Sequence, residues 1–216
     1  MMDMNSSNRN PIRITKDIIT RQPVWFPDGK KIAFRVIEPD REEQIYIMNI
    51  DGTNQKKLIN SGGGAMLGFS LFPDGKKIVF DSNKNGNYDI YIISIDGSNL
   101  VQLTNTPMDE CTPSLSPNGK KIAFGSIDGL YIIDTDGKNR KKIVEITGGV
   151  LGVSWSPDSK RLIFIPMGTD GGDIFIVGIT GKNLKNLTNT KDCWETFPCW
   201  RPVIKEGIGV RPRKQN

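Results

Sequence analysis

FPDGKKIAF, the stretch from Phe26 to Phe34, recurs along the chain with few changes. The other complete copies are FPDGKKIVF (Phe72 to Phe80), SPNGKKIAF (Ser116 to Phe124) and SPDSKRLIF (Ser156 to Phe164). A fifth copy begins at Trp200 and breaks off. The anchoring prolines are 46, 44, 40 and 45 residues apart, at Pro27, Pro73, Pro117, Pro157 and Pro202. A period of this length indicates a repeat architecture, in which the loops that differ between copies carry the function.

Two further blocks follow each copy, and both are rich in Ile, Val, Phe and Tyr. The first block reads QIYIMNIDG (Gln44 to Gly52), DIYIISIDG (Asp89 to Gly97), GLYIIDTDG (Gly129 to Gly137) and DIFIVGITG (Asp173 to Gly181). The second is short and ends near Leu58, Leu103, Ile143 and Leu187. Blocks of this length and composition favour strands, and the Asp-Gly and Asn-Gly pairs between them are hairpin signals. Each repeat is therefore predicted to be a four-stranded antiparallel meander, the blade of a β-propeller.

The combined pattern P-x-W-S-P-D-G-K-x-I-A-F, then D-I-Y-x-x-x-x-D-G, then L-T-N resembles the WD-like propeller repeat of TolB-type proteins. The resemblance extends over about residues 12 to 203 and occurs four times. It implies the fold and a peptide or protein partner at the propeller mouth. The same blades occur in the propeller domains of prolyl-oligopeptidase-type peptidases, so the fold alone does not define the function.

The predicted fold class is all-β, with four four-stranded blades and stray strands at Ile12–Thr15 and Cys193–Val203. The repeats are expected at about residues 21–60, 66–105, 109–146 and 151–189, with a partial copy at 192–203. Residues 1–11 are expected to be disordered, and 204–216 to form a basic tail. The four blades either close as a four-to-five-bladed ring or form an open arc of a six-bladed ring. The arc is favoured, and its open blade edges would promote self-association.

Several function classes are excluded or disfavoured by what the sequence lacks. It contains no histidine and no G-x-S-x-G elbow, so the usual hydrolase triads are excluded and no catalytic residue is assigned. Three cysteines do not make a disulfide framework. Cys193 and Cys199 could pair, but free buried thiols are the favoured state of Cys111, Cys193 and Cys199. The lysines recur once per blade without a stacking platform, which argues against a nucleic-acid partner despite the pI of 9.1. No apolar run suggests membrane insertion.

The start of the sequence bears on the cellular compartment. No signal peptide is visible in MMDMNSSNRN, whereas TolB-type proteins are exported. The chain is therefore expected to be cytoplasmic as written, or periplasmic or extracellular if it is part of a longer exported protein.

One loop resembles the opening of a calcium-binding loop. Oxygen-bearing side chains alternate before Gly86, at Asp81, Asn83, Asn85 and Asn87. The terminal bidentate Glu of such loops is replaced by Ile92. A structural turn is the favoured interpretation, with calcium, the sole candidate cofactor, as the alternative.

Charge is predicted to separate between the two faces of the propeller. We call the side of the tight turns between strands 1 and 2 and strands 3 and 4 the turn face. The opposite side, with the strand 2–3 and inter-blade loops, is the loop face. The turn face has sixteen basic and six acidic residues, and the loop face fourteen acidic and four basic residues. The loop face is therefore expected to be acidic, with aromatic residues at Tyr88, Trp194 and Phe197, and to attract basic partners.

The function that these observations favour is a non-catalytic protein-interaction scaffold. The candidate contact residues on the loop face are Glu42, Asp81, Asn83, Asp89, Asp109, Glu110, Asp173, Trp194 and Glu195. An alternative is the substrate-gating propeller of a prolyl-oligopeptidase-type peptidase, with the hydrolase supplied elsewhere. A third hypothesis is a calcium-dependent sugar or peptide binder.

Overall fold

The computed structural model describes residues 14–15, 19–38, 42–58, 64–167, 172–190, 195–196 and 198–200. The described residues form sixteen strands in four antiparallel sheets. Among them there is no helix with the length and apolar character needed to span a bilayer. The termini predicted as disordered (1–11) and as a basic tail (204–216) lie outside the described residues.

Each sheet is one blade, with its four strands in sequence order. Blade 1 contains β1 (Ile19–Trp25), β2 (Lys31–Ile37), β3 (Glu43–Asn49) and β4 (Lys56–Lys57). Blade 2 contains β5 (Phe69–Leu71), β6 (Lys77–Ser82), β7 (Asp89–Ser94) and β8 (Val101–Gln102). Blade 3 contains β9 (Glu110–Leu115), β10 (Lys121–Ser126), β11 (Gly129–Asp134) and β12 (Lys141–Glu145). Blade 4 contains β13 (Val150–Trp155), β14 (Arg161–Pro166), β15 (Phe175–Gly178) and β16 (Lys185–Asn186). The prediction of four four-stranded blades is confirmed.

The repeated turn sequence closes the first hairpin of each blade in the same way. In blade 1 the amide of Gly29 donates to the Phe26 carbonyl oxygen at 2.9 Å, with a φ of 67° at Gly29. The amide of Lys30 donates to Oδ1 of Asp28, also at 2.9 Å. The glycine therefore supplies the left-handed conformation, and the aspartate satisfies a backbone donor. Ser159 takes the glycine's place in blade 4, with a φ of 58°.

A cross-strand aromatic pair lies in the middle of every blade. The pairs are Phe34–Tyr46, Phe80–Tyr91, Phe124–Tyr131 and Phe164–Phe175, with ring centroids 5.6 to 6.0 Å apart. Each pair joins residues directly opposite each other on the second and third strands. Such pairs fix the strand register, because a slip of one residue would move every apolar side chain to the other side of the sheet.

The hydrophobic core consists of layers between successive blades. Separate clusters fill the seams between blades 1 and 2, blades 2 and 3, and blades 3 and 4. Hydrogen bonds also cross the seams: the indole Nε1 of Trp155 donates to the Ser114 carbonyl oxygen at 2.8 Å. Within the described residues, no cluster joins blade 4 to blade 1. The structure has four blades, so the six-bladed ring is not completed by the described residues.

Short segments cover the two outer blade faces. Ile14 packs against the apolar face of blade 1. A methyl group on Gly52 would lie 3.2 Å from the Ile14 carbonyl oxygen. In the next blade, a methyl group on Gly97 would lie 3.3 Å from the carbonyl oxygen of Leu58, which follows the fourth strand of blade 1. Ile14 therefore occupies the place of a fourth-strand residue of a preceding blade. Trp200 covers blade 4 and donates from Nε1 to the Ser154 carbonyl oxygen at 3.2 Å. The described residues of these segments, 14–15, 195–196 and 198–200, are not in strands; the rest of the predicted stray strands lies outside the described residues.

Candidate functional site

The loop face begins where the second strand of each blade ends. The residue after the repeated Phe occupies one repeat position there, at Arg35, Asp81, Gly125 and Ile165. In the first three blades this residue contacts the entry of the next blade's first strand. Nη1 of Arg35 donates to the Met66 carbonyl oxygen at 2.6 Å. Gly125 lies so close to the backbone of Val150 that a methyl group on Gly125 would be 2.3 Å from the Val150 carbonyl oxygen. We call this repeat position the latch position.

Asp81 is the latch residue of blade 2, and it is fully buried. Its Oδ1 accepts hydrogen bonds from the amides of Leu67 at 2.6 Å and Gly68 at 3.0 Å. Its Oδ2 accepts one from the amide of Thr112 at 2.6 Å. One carboxylate thus joins the segment that enters blade 2 to the first strand of blade 3. Asp81 is not accessible to a partner, so its predicted role in surface contact does not fit its burial.

Asp89 and Glu110 are also buried, and their contacts are internal. Asp89 accepts hydrogen bonds from Nε2 of Gln102 at 2.9 Å and Oγ1 of Thr104 at 3.4 Å. These contacts explain why the D-I-Y and L-T-N motifs occur together in the repeat, since the aspartate of the third strand accepts hydrogen bonds from residues at the end of the fourth strand. Asp173 repeats the arrangement with Asn186 and Thr188 in blade 4, and these hydrogen bonds lower its pKa. The aspartates of this motif are therefore structural.

The predicted calcium loop does not present its oxygens to a common point. Oδ1 of Asn83 accepts a hydrogen bond from the Ala65 amide at 2.6 Å. Asn85 and Asn87 present their amide nitrogens, which donate to Tyr91 Oη at 3.0 Å and to the Thr106 carbonyl oxygen at 2.9 Å. Both oxygens of Asp81 are occupied by backbone donors. The contacts of this loop are those of a structural turn, and the geometry of the loop does not support the calcium hypothesis.

The remaining predicted contact residues stay near the surface. Asp109 is exposed, and its Oδ1 accepts a hydrogen bond from the Tyr88 amide at 2.9 Å. Glu42, Asn83, Asp173 and Glu195 are half-buried. Tyr88 is half-buried as well, and its pKa is raised first by burial and then by the neighbouring charge of Asp81. Trp194 and Phe197 lie outside the described residues.

Sequence reasoning missed a set of exposed apolar side chains on the loop face. All six lie at or just beyond the loop-face end of a strand and are 37% to 60% exposed: Ile19, Leu67, Met108, Ile127, Leu151 and Met167. We call them the loop-face apolar set. Two of them are close together, because Gly149 lies near both the Ile127 Cα and the Met167 Sδ. A signal in the repeat could have found four of them. Ile127 and Met167 each lie three residues after the repeated Phe, and Leu67 and Leu151 each lie five residues before the first turn block.

Cys111 lies at the same end of β9, beside the Asp81 latch. Burial, with Asp81 next, raises the pKa of its thiol to about 12, so the thiol stays protonated and unreactive near neutral pH. Cys111 and Cys199 are free, as expected, but Cys199 is exposed and Cys111 only half-buried, so the expectation of buried thiols is wrong for Cys199. Cys193 lies outside the described residues.

Thr112 is strained, and its replacement by glycine is expected to stabilise the protein. It sits at a β-bulge of β9 with a φ of 53°, which is unfavourable for a β-branched residue. The same bulge in blade 4 contains Gly152, with a φ of 60°. Thr112→Gly should raise the free energy of unfolding by about 1 kcal/mol in urea denaturation. Ser114→Gly, in the extended part of the same strand, is the control and should lower it by about 0.5–1 kcal/mol. A loss with Thr112→Gly would show that the threonine side chain compensates for its backbone strain.

Titration of Asp81 is expected to make stability depend on pH. Burial raises its pKa to about 6, against the opposing effect of the three amide donors. In the range between its unfolded pKa and about 6, the folded state retains a proton that the unfolded state has lost. This contribution to stability is complete below the unfolded pKa and is lost as pH rises through 6, by up to about 3 kcal/mol. Urea denaturation from pH 4 to 7 measures the free energy of unfolding of wild type and of Asp81→Asn. The wild-type value should fall relative to that of Asp81→Asn as pH rises, and a difference that does not change with pH would contradict the prediction.

Comparison with known proteins assigns the family. The TolB beta propeller domain family matches residues 1–130 and 87–206. An uncharacterized protein of Agrobacterium fabrum is 29% identical over 175 residues, which cover 74% of this chain and 59% of that protein. A Protein TolB homolog of Chlorobaculum tepidum is 31% identical over 118 residues, covering 53% of this chain and 27% of that protein. Dipeptidyl-peptidase 5 of Porphyromonas endodontalis is 30% identical over 107 residues, covering 45% of this chain and 16% of that enzyme.

Solved structures agree on the fold. The structure of a putative TolB from Agrobacterium tumefaciens superposes with a TM-score of 0.66 at 21% identity, covering 75% of this chain and 62% of that one. At this identity the likeness concerns the fold alone. The chain spans less than two thirds of the length of these relatives. The family match covers nearly all of the sequence, and the chain belongs to the TolB beta-propeller family.

Proposed function

We propose that this chain is a non-catalytic scaffold that binds a protein or peptide partner with its loop face. The observation that carries the proposal is the loop-face apolar set. Ile127 and Met167 both lie near Gly149, and adjoining apolar side chains exposed on one face are typical of protein interaction sites. The loop-face apolar set lies around acidic residues such as Asp109 and Glu42, so a partner with both basic and apolar side chains would complement the face.

The chemistry of the loop face supports binding rather than catalysis. Its buried carboxylates, Asp81, Asp89 and Glu110, accept hydrogen bonds from backbone and side-chain donors of neighbouring strands. These contacts hold the blades in place. Within the described part of the chain, Oε2 of Glu110 is the one oxygen of the three carboxylates without a hydrogen-bond partner, and it is buried away from solvent. The sequence also lacks histidine, the commonest general base.

Replacement of the exposed apolar residues tests the proposal. A triple variant, Met108→Ser, Ile127→Ser and Met167→Ser, removes apolar surface from the loop face without touching a latch residue. Its control, Leu100→Ser, Val101→Ser and Leu184→Ser, removes side chains of similar exposure near the fourth strands. Cross-linking and mass spectrometry in cells that produce each variant would identify partners.

The proposal predicts that a partner cross-links to wild type and to the control, and that the loop-face variant loses it. Equal loss in both triple variants, or retention in both, would contradict binding through this face. Thermal unfolding of both variants would show that the fold is intact.

A second candidate function is the propeller part of a prolyl-oligopeptidase-type enzyme. The similarity to part of dipeptidyl-peptidase 5 favours it. In that case the propeller would gate access to a hydrolase domain. A hydrolase reading frame with a G-x-S-x-G elbow next to this sequence in the genome would support this candidate over the scaffold.

Self-association through the open blade edges is a further part of the proposal. Light scattering coupled to size exclusion measures the mass directly, against 24.0 kDa for one chain. A dimer that survives the loop-face triple substitution would support this, because the loop-face apolar set would then be excluded as the self-contact, and a monomer would contradict it.

A further inference from the structure

A groove of about 320 Å³ opens at the seam between blades 2 and 3, on the turn face and away from the loop face. Its floor is apolar, with Phe72, Ile92 and Leu103 among the lining residues. Lys77 and Thr135 line it as well. A concave apolar site with a few polar groups is the usual form of a small-molecule site, and this volume is at the lower end of the usual range.

The groove exists because one residue departs from the repeat. The position before the turn between strands 3 and 4 is Ile50 in blade 1, Ile95 in blade 2 and Ile179 in blade 4, but Thr135 in blade 3. Ile95 packs into the core of the seam between blades 1 and 2, and Ile179 into that between blades 3 and 4. The smaller Thr135 leaves the corresponding space of the middle seam unfilled.

The same groove also has a positive charge, that of Lys77. In blade 3, Nζ of Lys121 pairs with Oδ1 of Asp134 on the opposite strand at 2.5 Å. The corresponding pair in blade 2 is Lys77 and Ser94. The basic residues of blades 1 and 4 likewise lie opposite Asn49 and Gly178, so the pairing with a carboxylate is confined to blade 3. Among the described residues, Lys77 has no carboxylate within ion-pair distance. The only carboxylate lining the groove is that of Asp136, which pairs with Lys138 at 3.6 Å.

We propose that this groove binds a small monocarboxylate with an apolar chain. The apolar chain would lie on Phe72, Ile92 and Leu103, where Thr135 leaves room. The carboxylate would pair with the ammonium group of Lys77, in the role that Asp134 has for Lys121. The volume accommodates a short acyl chain rather than a folded partner or a peptide segment, so the ligand is a free acid.

The probe for the test is octanoate, titrated into the full chain and followed by isothermal calorimetry and amide NMR shifts. We expect the largest shifts at Leu103 and Thr135. Octylamine and octan-1-ol, which have the same chain without the negative charge, should bind at least about tenfold more weakly. An acetylated peptide that ends in leucine tests whether a peptide C-terminus is the ligand instead.

Three variants assign the site. Thr135→Ile restores the repeat residue, so it should fill the groove, abolish octanoate binding and leave the melting temperature equal or higher. Lys77→Met keeps the apolar stem and should weaken octanoate binding about tenfold. Lys31→Met removes the equivalent exposed lysine of blade 1, which is outside the groove, and should bind octanoate like wild type.

Equal binding of octanoate by wild type and Thr135→Ile would overturn the proposal. So would equal weakening by Lys77→Met and Lys31→Met, because binding would then follow net charge alone. Tighter binding of the leucine peptide than of octanoate would also overturn it, in favour of a protein C-terminus. None of these results depends on the loop-face function, because the groove lies on the opposite face and its variants leave the loop-face apolar set unchanged.

Discussion

Asp81→Ala is expected to lower the free energy of unfolding by about 4 kcal/mol. The substitution removes both acceptors of three backbone amides, those of Leu67, Gly68 and Thr112. Alanine cannot replace these acceptors, and water has little access because Asp81 is fully buried. Each unsatisfied buried donor costs about 1–3 kcal/mol. Urea denaturation at pH 7 measures the loss.

Two variants show whether the loss comes from these hydrogen bonds. Asp81→Asn retains one oxygen but points an amide nitrogen at one of the donors, so it should cost roughly half as much. Asp28→Ala removes an exposed turn aspartate that accepts from the Lys30 amide, and it should cost about 0.5–1 kcal/mol. If Asp81→Ala costs no more than Asp28→Ala, the inter-blade latch contributes nothing to stability.

The strands and turns of this fold could be predicted from the sequence because each blade repeats the same local signals. Apolar blocks and Asp-Gly pairs define the four strands and their turns, and the aromatic pair Phe80–Tyr91 recurs in register in each blade. These signals act between residues that are near in sequence. The repeat also predicts that the apolar core lies between neighbouring blades, since each blade buries its faces against the next blade.

The candidate site was harder to predict, because burial at the blade seams depends on packing between repeats. Asp81, Asp89 and Glu110 are polar residues in loop-like sequence, so they were expected at the surface. The structure buries Asp81 and Glu110 because backbone amides and Arg140 need acceptors at the seams. It buries Asp89 because Gln102 and Thr104 of the same blade donate to it. Asp109, one residue before the buried Glu110, is exposed, and nothing in the sequence distinguishes the two.

The latch position shows the limit of repeat reasoning most directly. Arg35, Asp81 and Gly125 occupy one position, yet each meets the next blade differently: a guanidinium donates, a carboxylate accepts, and a glycine allows close backbone approach. A repeat fixes where a contact between blades must occur. It does not fix the chemistry of that contact, since each seam needs only a partner that satisfies its own backbone groups.

Arg140→Ala is expected to lower the free energy of unfolding by about 3–4 kcal/mol. Nε and Nη2 of Arg140 both donate to Oε1 of Glu110, at 3.1 and 2.7 Å, and the Glu110 side chain is fully buried. The guanidinium also lies 4.1 Å from the ring centroid of Tyr131, so the substitution removes a cation–π contact. Without Arg140, Glu110 would be a buried carboxylate without its cation. It lies near Asp89, whose pKa is raised first by burial and then by the charge of Glu110.

Urea denaturation of a variant without either charge separates the contribution of the ion pair from the penalty of leaving Glu110 unpaired. Arg140→Met with Glu110→Leu replaces both charges by apolar side chains, and this exchange is often nearly neutral. We therefore expect the double variant to be more stable than Arg140→Ala by at least about 2 kcal/mol. The exposed pair of Lys138 and Asp136 is the control, and Lys138→Ala should cost less than about 0.5 kcal/mol. If the double variant is as unstable as Arg140→Ala, the ion pair itself stabilises the seam, and the loss cannot be assigned to an unpaired buried charge.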